Sequence, residues 1–152
     1  MAARSTAALL ILLLACCSPC GAGEDGERDI FFAPDPAHNL VVVTWRAPHD
    51  FVNVACIKET YCDADLDGSI GSSPDDFFCR EIVREDGTYM KHLYRRDSSR
   101  VFALYPDQRT VKKSYDFSAP SGDGDWQSAL AAKNRALSIA NEEYNEILTR
   151  AR

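Results

Sequence analysis

Residues 77 to 96, FFCREIVRE followed by Asp86-Gly87 and TYMKHLYRR from 88, constrain the fold more than any other part of the sequence. Two runs rich in β-branched and aromatic residues flank an Asp-Gly pair, and such a pair favours a tight antiparallel hairpin because glycine adopts the positive φ the turn requires. The pattern continues downstream. DSSR (97–100) turns into VFALYP (101–106), and DQR leads to TVKKSYDF (110–117). Four consecutive strands with short turns predict an antiparallel meander.

Two further strands precede it. NLVVVTWR (39–46), bounded by Pro36 and Pro48, reads as a strand buried on both faces, and FVNVACIKETYC (51–62) as the next one. Upstream, IFFAPDPAHN (30–39) reads as an apolar anchor ending in a proline-containing turn, after the polar GEDGERD (23–29). The expected count is six strands between about 39 and 117. After the linker SAPSGDGD (118–125) the period changes: Trp126, Leu130, Leu137, Ala140, Tyr144, Ile147 and Leu148 recur at three and four residues, predicting an amphipathic helix over about 125–150. Asp125 is the expected N-cap, and Glu146 and Arg150 form a favourable i,i+4 pair. The fold class is therefore mainly β, an antiparallel meander or incomplete barrel with a C-terminal α-helix.

The N-terminus bears on compartment. Arg4, the apolar run ALLILLLACC (8–17) and the small residues Cys20, Gly21 and Ala22 read as a secretory signal peptide over residues 1–22. About 20 apolar residues are needed to span a bilayer, and this run is shorter. The expected product is one secreted, extracellular domain over 23–152. It retains 16 basic against 23 acidic residues, a net charge of −7. That balance disfavours nucleic acid or an anionic membrane as partner and mildly favours a cationic ligand. Three cysteines remain, Cys56, Cys62 and Cys79. An odd number in an oxidising compartment leaves one thiol for burial or for a disulfide-linked dimer.

CDADLDGSIGSSPDDFFC (62–79) raises the question of a metal. Counted from Asp63, the spacing of Asp63, Asp65, Asp67 and Gly68 matches the first half of an EF-hand loop, so these three aspartates are the candidate calcium ligands. Pro74 occupies the place of the bidentate acid, and the flanks read as strands where an EF-hand has helices. The competing reading is a solvated inter-strand loop fastened by a disulfide, Cys62 to Cys79, or Cys56 to Cys79 in the alternative. Bridging Cys62 and Cys79 closes a loop worth about 3 kcal/mol in the chain-entropy model.

No catalytic pattern is present. His38, His49 and His92 lack zinc spacing, and no Gly-x-Ser-x-Gly elbow occurs. The expectation is a protein that is not an enzyme and uses no cofactor. Aromatic residues, in contrast, concentrate on the predicted strands, where they build core or the wall of a ligand cavity.

The signal peptide, small acidic domain, aromatic-rich meander, scattered cysteines and following helix together resemble a lipocalin. VVVTWRAPHDFVNVACIKE (41–59) in particular looks like the first two barrel strands of tick salivary lipocalins of the histamine-binding type. The resemblance covers about residues 39–117. It differs in showing six strands where that barrel has eight, and it lacks the Gly-x-Trp signature and further C-terminal cysteines. It implies a calycin-like sequestering function for a biogenic amine or a small lipid. Trp45, Glu59, Glu81 and Tyr94 are the expected ligand wall, since they sit mid-strand and combine aromatic surface with charge. The alternatives are a secreted protein-interaction module without a small ligand and a weak calcium-binding module using the 63–76 loop.

Overall fold

A computed structural model describes residues 28–35, 38–45, 53–107 and 109–150, the first two segments as backbone. Seven strands lie among them: β1 (Arg28–Asp35), β2 (His38–Trp45), β3 (Val54–Asp63), β4 (Phe77–Arg84), β5 (Tyr89–Tyr94), β6 (Ser98–Leu104) and β7 (Thr110–Asp116). They form one antiparallel sheet in sequence order, and β1 and β7 do not pair to close it. A single long helix, α1 (Gly124–Arg150), follows. The fold is mainly β, an open meander with a C-terminal helix. The expected signal peptide, His49 and the other residues of 46–52 lie outside the described residues.

One strand was not expected. The stretch read as an anchor forms β1, paired with β2 from Arg28 opposite Trp45 to Asp35 opposite His38. Pro34 suggests a break, but at the outer strand a missing N–H can face away from the ladder at no cost. Strand β6 also begins earlier than expected, since Ser98, Ser99 and Arg100 pair with β7 instead of forming the turn. At the hairpin, Gly87 takes φ of 80° and donates to Arg84 O at 3.0 Å, while the Asp86 carboxylate accepts the Thr88 N–H at 2.8 Å. That bond stabilises the carboxylate and holds the Asp86 pKa below the usual carboxylate range.

Strand alternation sorts the side chains onto two faces. Across β3–β7 one face carries Tyr61, Phe78, Tyr94, Ser99 and Tyr115 in one row and Glu59, Arg80, His92, Val101 and Lys113 in the next. The helix packs on this face. Ala140, Tyr144 and Ile147 meet Tyr61, Phe78 and Ile70, with Tyr94, Ala136, Leu137 and Leu148 around them. Ring centroids of Tyr61 lie 5.2 Å from Phe78 and 6.2 Å from Tyr144, within range for aromatic pairing. Near the helix start, Lys133 donates to Arg96 O at 2.7 Å over the Phe117 ring, and Trp126 Nε1 donates to Asp116 O at 2.8 Å. The N-cap is Asp123, not Asp125: its carboxylate accepts the Asp125 N–H at 3.0 Å, as an N-cap side chain does one residue before the first helical position. Glu146 and Arg150 pair as expected.

The cysteine expectations need correction. Cys62 and Cys79 are both buried thiols, and Cys56 is bonded to neither. Register supplies the reason. Cys79 lies opposite Thr60 and Cys62 opposite Phe77, so the two are diagonal neighbours. Diagonal neighbours stand about 7–8 Å apart, beyond the roughly 4.4–6.8 Å between Cα atoms that a disulfide spans. Cys56 lies opposite Val83, four residues along from Cys79, roughly 13 Å at strand rise.

Candidate functional site

The loop of residues 64–76 is folded from within by two buried aspartates, which corrects its reading as a solvated connection. Asp63 accepts the N–H groups of Asp67 at 3.2 Å and Gly68 at 2.9 Å, and the Tyr144 hydroxyl at 3.2 Å. Asp76, fully buried, accepts the N–H groups of Ala64, Gly71 and Ser73 and the Ser72 hydroxyl, at 2.8 to 3.1 Å. The loop then docks on α1. Asn141 Oδ1 accepts the Ile70 N–H at 2.6 Å and its Nδ2 donates to Ile70 O at 2.9 Å, which seats Ile70 in the core. Gly71, at φ of 93°, lies against Leu137.

The candidate calcium ligands do converge. One carboxylate oxygen from each of Asp63, Asp65 and Asp67 lies within 4.8 Å of the others, with Asp63 buried and the other two exposed. Partial desolvation and the neighbouring Asp67 and Asp76 charges push the Asp65 carboxyl up. Asp76 does not supply the missing bidentate acid, because its oxygens are engaged by the loop's own N–H groups.

Glu59 and Tyr94 belong to the helix-covered face. Glu59 is 1% exposed, bonded to Arg80 Nε and Nη2 at 2.7 and 2.6 Å, and to the Tyr61 hydroxyl at 3.0 Å. That hydroxyl also reaches Glu143 of α1 at 2.6 Å, and burial with the two carboxylates holds it far above the usual phenol range. Tyr94 packs on Phe78 at 6.2 Å and its hydroxyl lies 3.2 Å from His92 Nδ1. Burial, with the Arg80 charge, holds the His92 pKa below the usual imidazole range and so favours the neutral ring. These side chains belong to the structural core and its polar border. Trp45 lies opposite Ile57 in the β2–β3 register, and its side chain is outside the described residues.

Glu81, unlike Glu59 and Tyr94, points to the other face. There the rows read Lys58, Glu81, Lys91, Phe102 and Lys112, and beside them Cys79, Leu93, Arg100 and Ser114. Across β5–β7 this face forms an open trough of about 480 Å³, lined chiefly by Tyr89, Lys91, Leu93, Arg100, Phe102 and Lys112. Its volume lies within the roughly 300–1,000 Å³ of ligand pockets. Tyr89 and Phe102 meet edge to face at 6.1 Å, and Lys112 lies 5.6 Å from the Phe102 centroid. Glu81, 7% exposed, accepts the Tyr89 hydroxyl at 2.5 Å and lies 3.2 Å from Lys91 Nζ. The floor therefore combines an aromatic pair and a leucine with cations.

Sequence reasoning missed Arg100, Phe102 and Lys112. The signal was there in the alternation: Tyr89, Lys91 and Leu93 share one parity, and Arg100 and Phe102 take the matching one on the next strand.

The two thiols bear on the expected disulfide-linked dimer. Cys62 is 3% exposed, and burial together with the Asp76 charge pushes its thiol up to about 11. Only the thiolate attacks, so at pH 8 iodoacetamide should modify Cys62 at least roughly a hundredfold more slowly than an unstructured thiol. Mass-spectrometric mapping of the alkylated peptides checks this, and equal rates in the native and urea-unfolded chain would contradict the burial.

The sequence matches no protein-family model, and neither a curated protein nor a solved structure shows detectable similarity to it.

Proposed function

We propose that the protein binds a small amphipathic ligand, without catalysis, against the uncovered face of β5–β7, and does so as a secreted sequestering protein of the kind its lipocalin resemblance implies. The observation that supports this reading is the trough itself: about 480 Å³, on the face of the sheet, with an aromatic pair and Leu93 beside a few polar groups. Sites of this make-up bury the apolar body of a ligand and orient its polar end. On the helix-covered face Tyr61, Phe78 and Tyr144 pack against one another between sheet and helix.

The test uses N-phenyl-1-naphthylamine, an uncharged probe that fluoresces in apolar surroundings. The full-length protein should enhance its emission saturably, and Phe102→Ala should weaken binding about tenfold, equivalent to about 1.4 kcal/mol of lost aromatic contact. No saturable enhancement would remove the reading. A second reading, weak calcium binding at the 63–67 turn, is favoured by the convergence of its three carboxylates. Calcium at about 5 mM should then raise the melting temperature by a few degrees, and an unchanged value ends that reading.

A further inference from the structure

We infer that the ligand of the trough is an anionic amphiphile, a single-chain lipid with a carboxylate or similar acidic head, and not an amine. The inference rests on the trough being the binding site proposed above. Its ground is the local balance of charge, which opposes that of the whole chain. The sequence carries 23 acidic against 17 basic residues, yet the trough is lined by Lys91, Arg100, Lys112 and Lys113 and by no acid.

The nearest acid, Glu81, is already committed. It accepts the Tyr89 hydroxyl and pairs with Lys91, so it has little charge left to offer an ammonium group. Lys113 alternates to the opposite face and pairs with Asp125. Arg100 and Lys112 differ: neither makes an ion pair among the described residues. They stand on adjacent strands two residues out of register, since Phe102 is opposite Lys112 and Arg100 opposite Ser114. This diagonal places a guanidinium and an ammonium on the same face, about 7–8 Å apart at the backbone, close enough for long side chains to converge on one head group. The Ser114 hydroxyl, in the row of Arg100, adds a donor. Next to this charged corner lie Phe102, Tyr89 and Leu93, which would receive an alkyl chain.

A cationic ligand would meet the reverse situation. Its head would face two cations without counter-charge, and like charges at that range disfavour binding.

The experiment measures displacement of N-phenyl-1-naphthylamine from the full-length protein by dodecanoate, dodecanol and dodecylamine, which share one chain and differ in head charge. Dodecanoate should bind about tenfold more tightly than dodecanol, as expected for two partly exposed ion contacts, and dodecylamine more weakly than either. The advantage of dodecanoate should shrink as salt is raised. In the variant R100Q/K112Q, dodecanoate should fall to the affinity of dodecanol. Both positions are exposed, and circular dichroism confirms that the variant is folded. Equal affinity of the three compounds, or preference for dodecylamine, overturns the anionic head while leaving the trough as a site. Failure of all three to displace the probe overturns the trough. Sedimentation with phosphatidylserine-containing vesicles, in the absence of any response to monomeric dodecanoate, would show a membrane surface as the partner and likewise overturn the inference.

Discussion

Tyr144→Ala should lower the free energy of unfolding by about 3–5 kcal/mol, the range for removing a large aromatic ring from a packed interior. Tyr144 is 0% exposed and sits where helix, sheet and loop meet. Its ring stacks on Tyr61, and its hydroxyl bonds the Asp63 carboxylate that curls the loop. The substitution therefore opens a cavity and strands part of Asp63 at once. Tyr144→Phe separates the two contributions, since it keeps the ring and should cost only about 0.5–1.5 kcal/mol for the lost hydrogen bond. Urea unfolding of both variants measures this. A loss below about 1 kcal/mol for the alanine variant would mean that α1 does not depend on this contact.

Asp76→Ala should cost about 3–5 kcal/mol by a different route. The carboxylate is fully buried and accepts from Ala64, Gly71, Ser72 and Ser73, so its removal leaves three main-chain N–H groups and a hydroxyl without their acceptor. The damage should be local. Hydrogen exchange at residues 64–73 should rise to near that of an open loop while β4 and β5 keep their protection, because the strands pair independently of the loop. Uniform loss of protection across the sheet would contradict the view that the influence of Asp76 is confined to the loop.

These two residues mark where the sequence could be read and where it could not. The β4–β5 hairpin was legible because its determinants are local: an Asp-Gly pair between two strand-forming runs. The helix was legible for the same reason, since the spacing of Ala140, Tyr144 and Ile147 is set within one element. The expectation of a solvated acidic loop failed because nothing near Asp76 shows that its side chain turns inward to collect four donors. The disulfide expectation failed on register, which is set by pairing across β3–β4 and not by spacing along the chain.

The site was half legible. Alternation divides the strand residues into two sets, Tyr61, Phe78 and Tyr94 against Tyr89 and Phe102, and both are aromatic. Sequence alone does not say which set the helix covers. Glu59 and Tyr94, the expected ligand wall, lie on the covered face, where a carboxylate is matched by Arg80 and a phenol by His92. On the uncovered face Arg100 and Lys112 make no ion pair among the described residues, and that asymmetry appears only once the helix is in place.

The central claim is that the uncovered face of β5–β7 is the ligand site, and backbone amide shifts recorded while dodecanoate is titrated into isotopically labelled protein test it most directly. The predicted result is a set of saturable shifts concentrated at residues 89–93, 100–104 and 110–114, with the amides of α1 and of the 64–76 loop unchanged. Shifts centred on α1 or on the 64–76 loop, or none at any concentration, would contradict it.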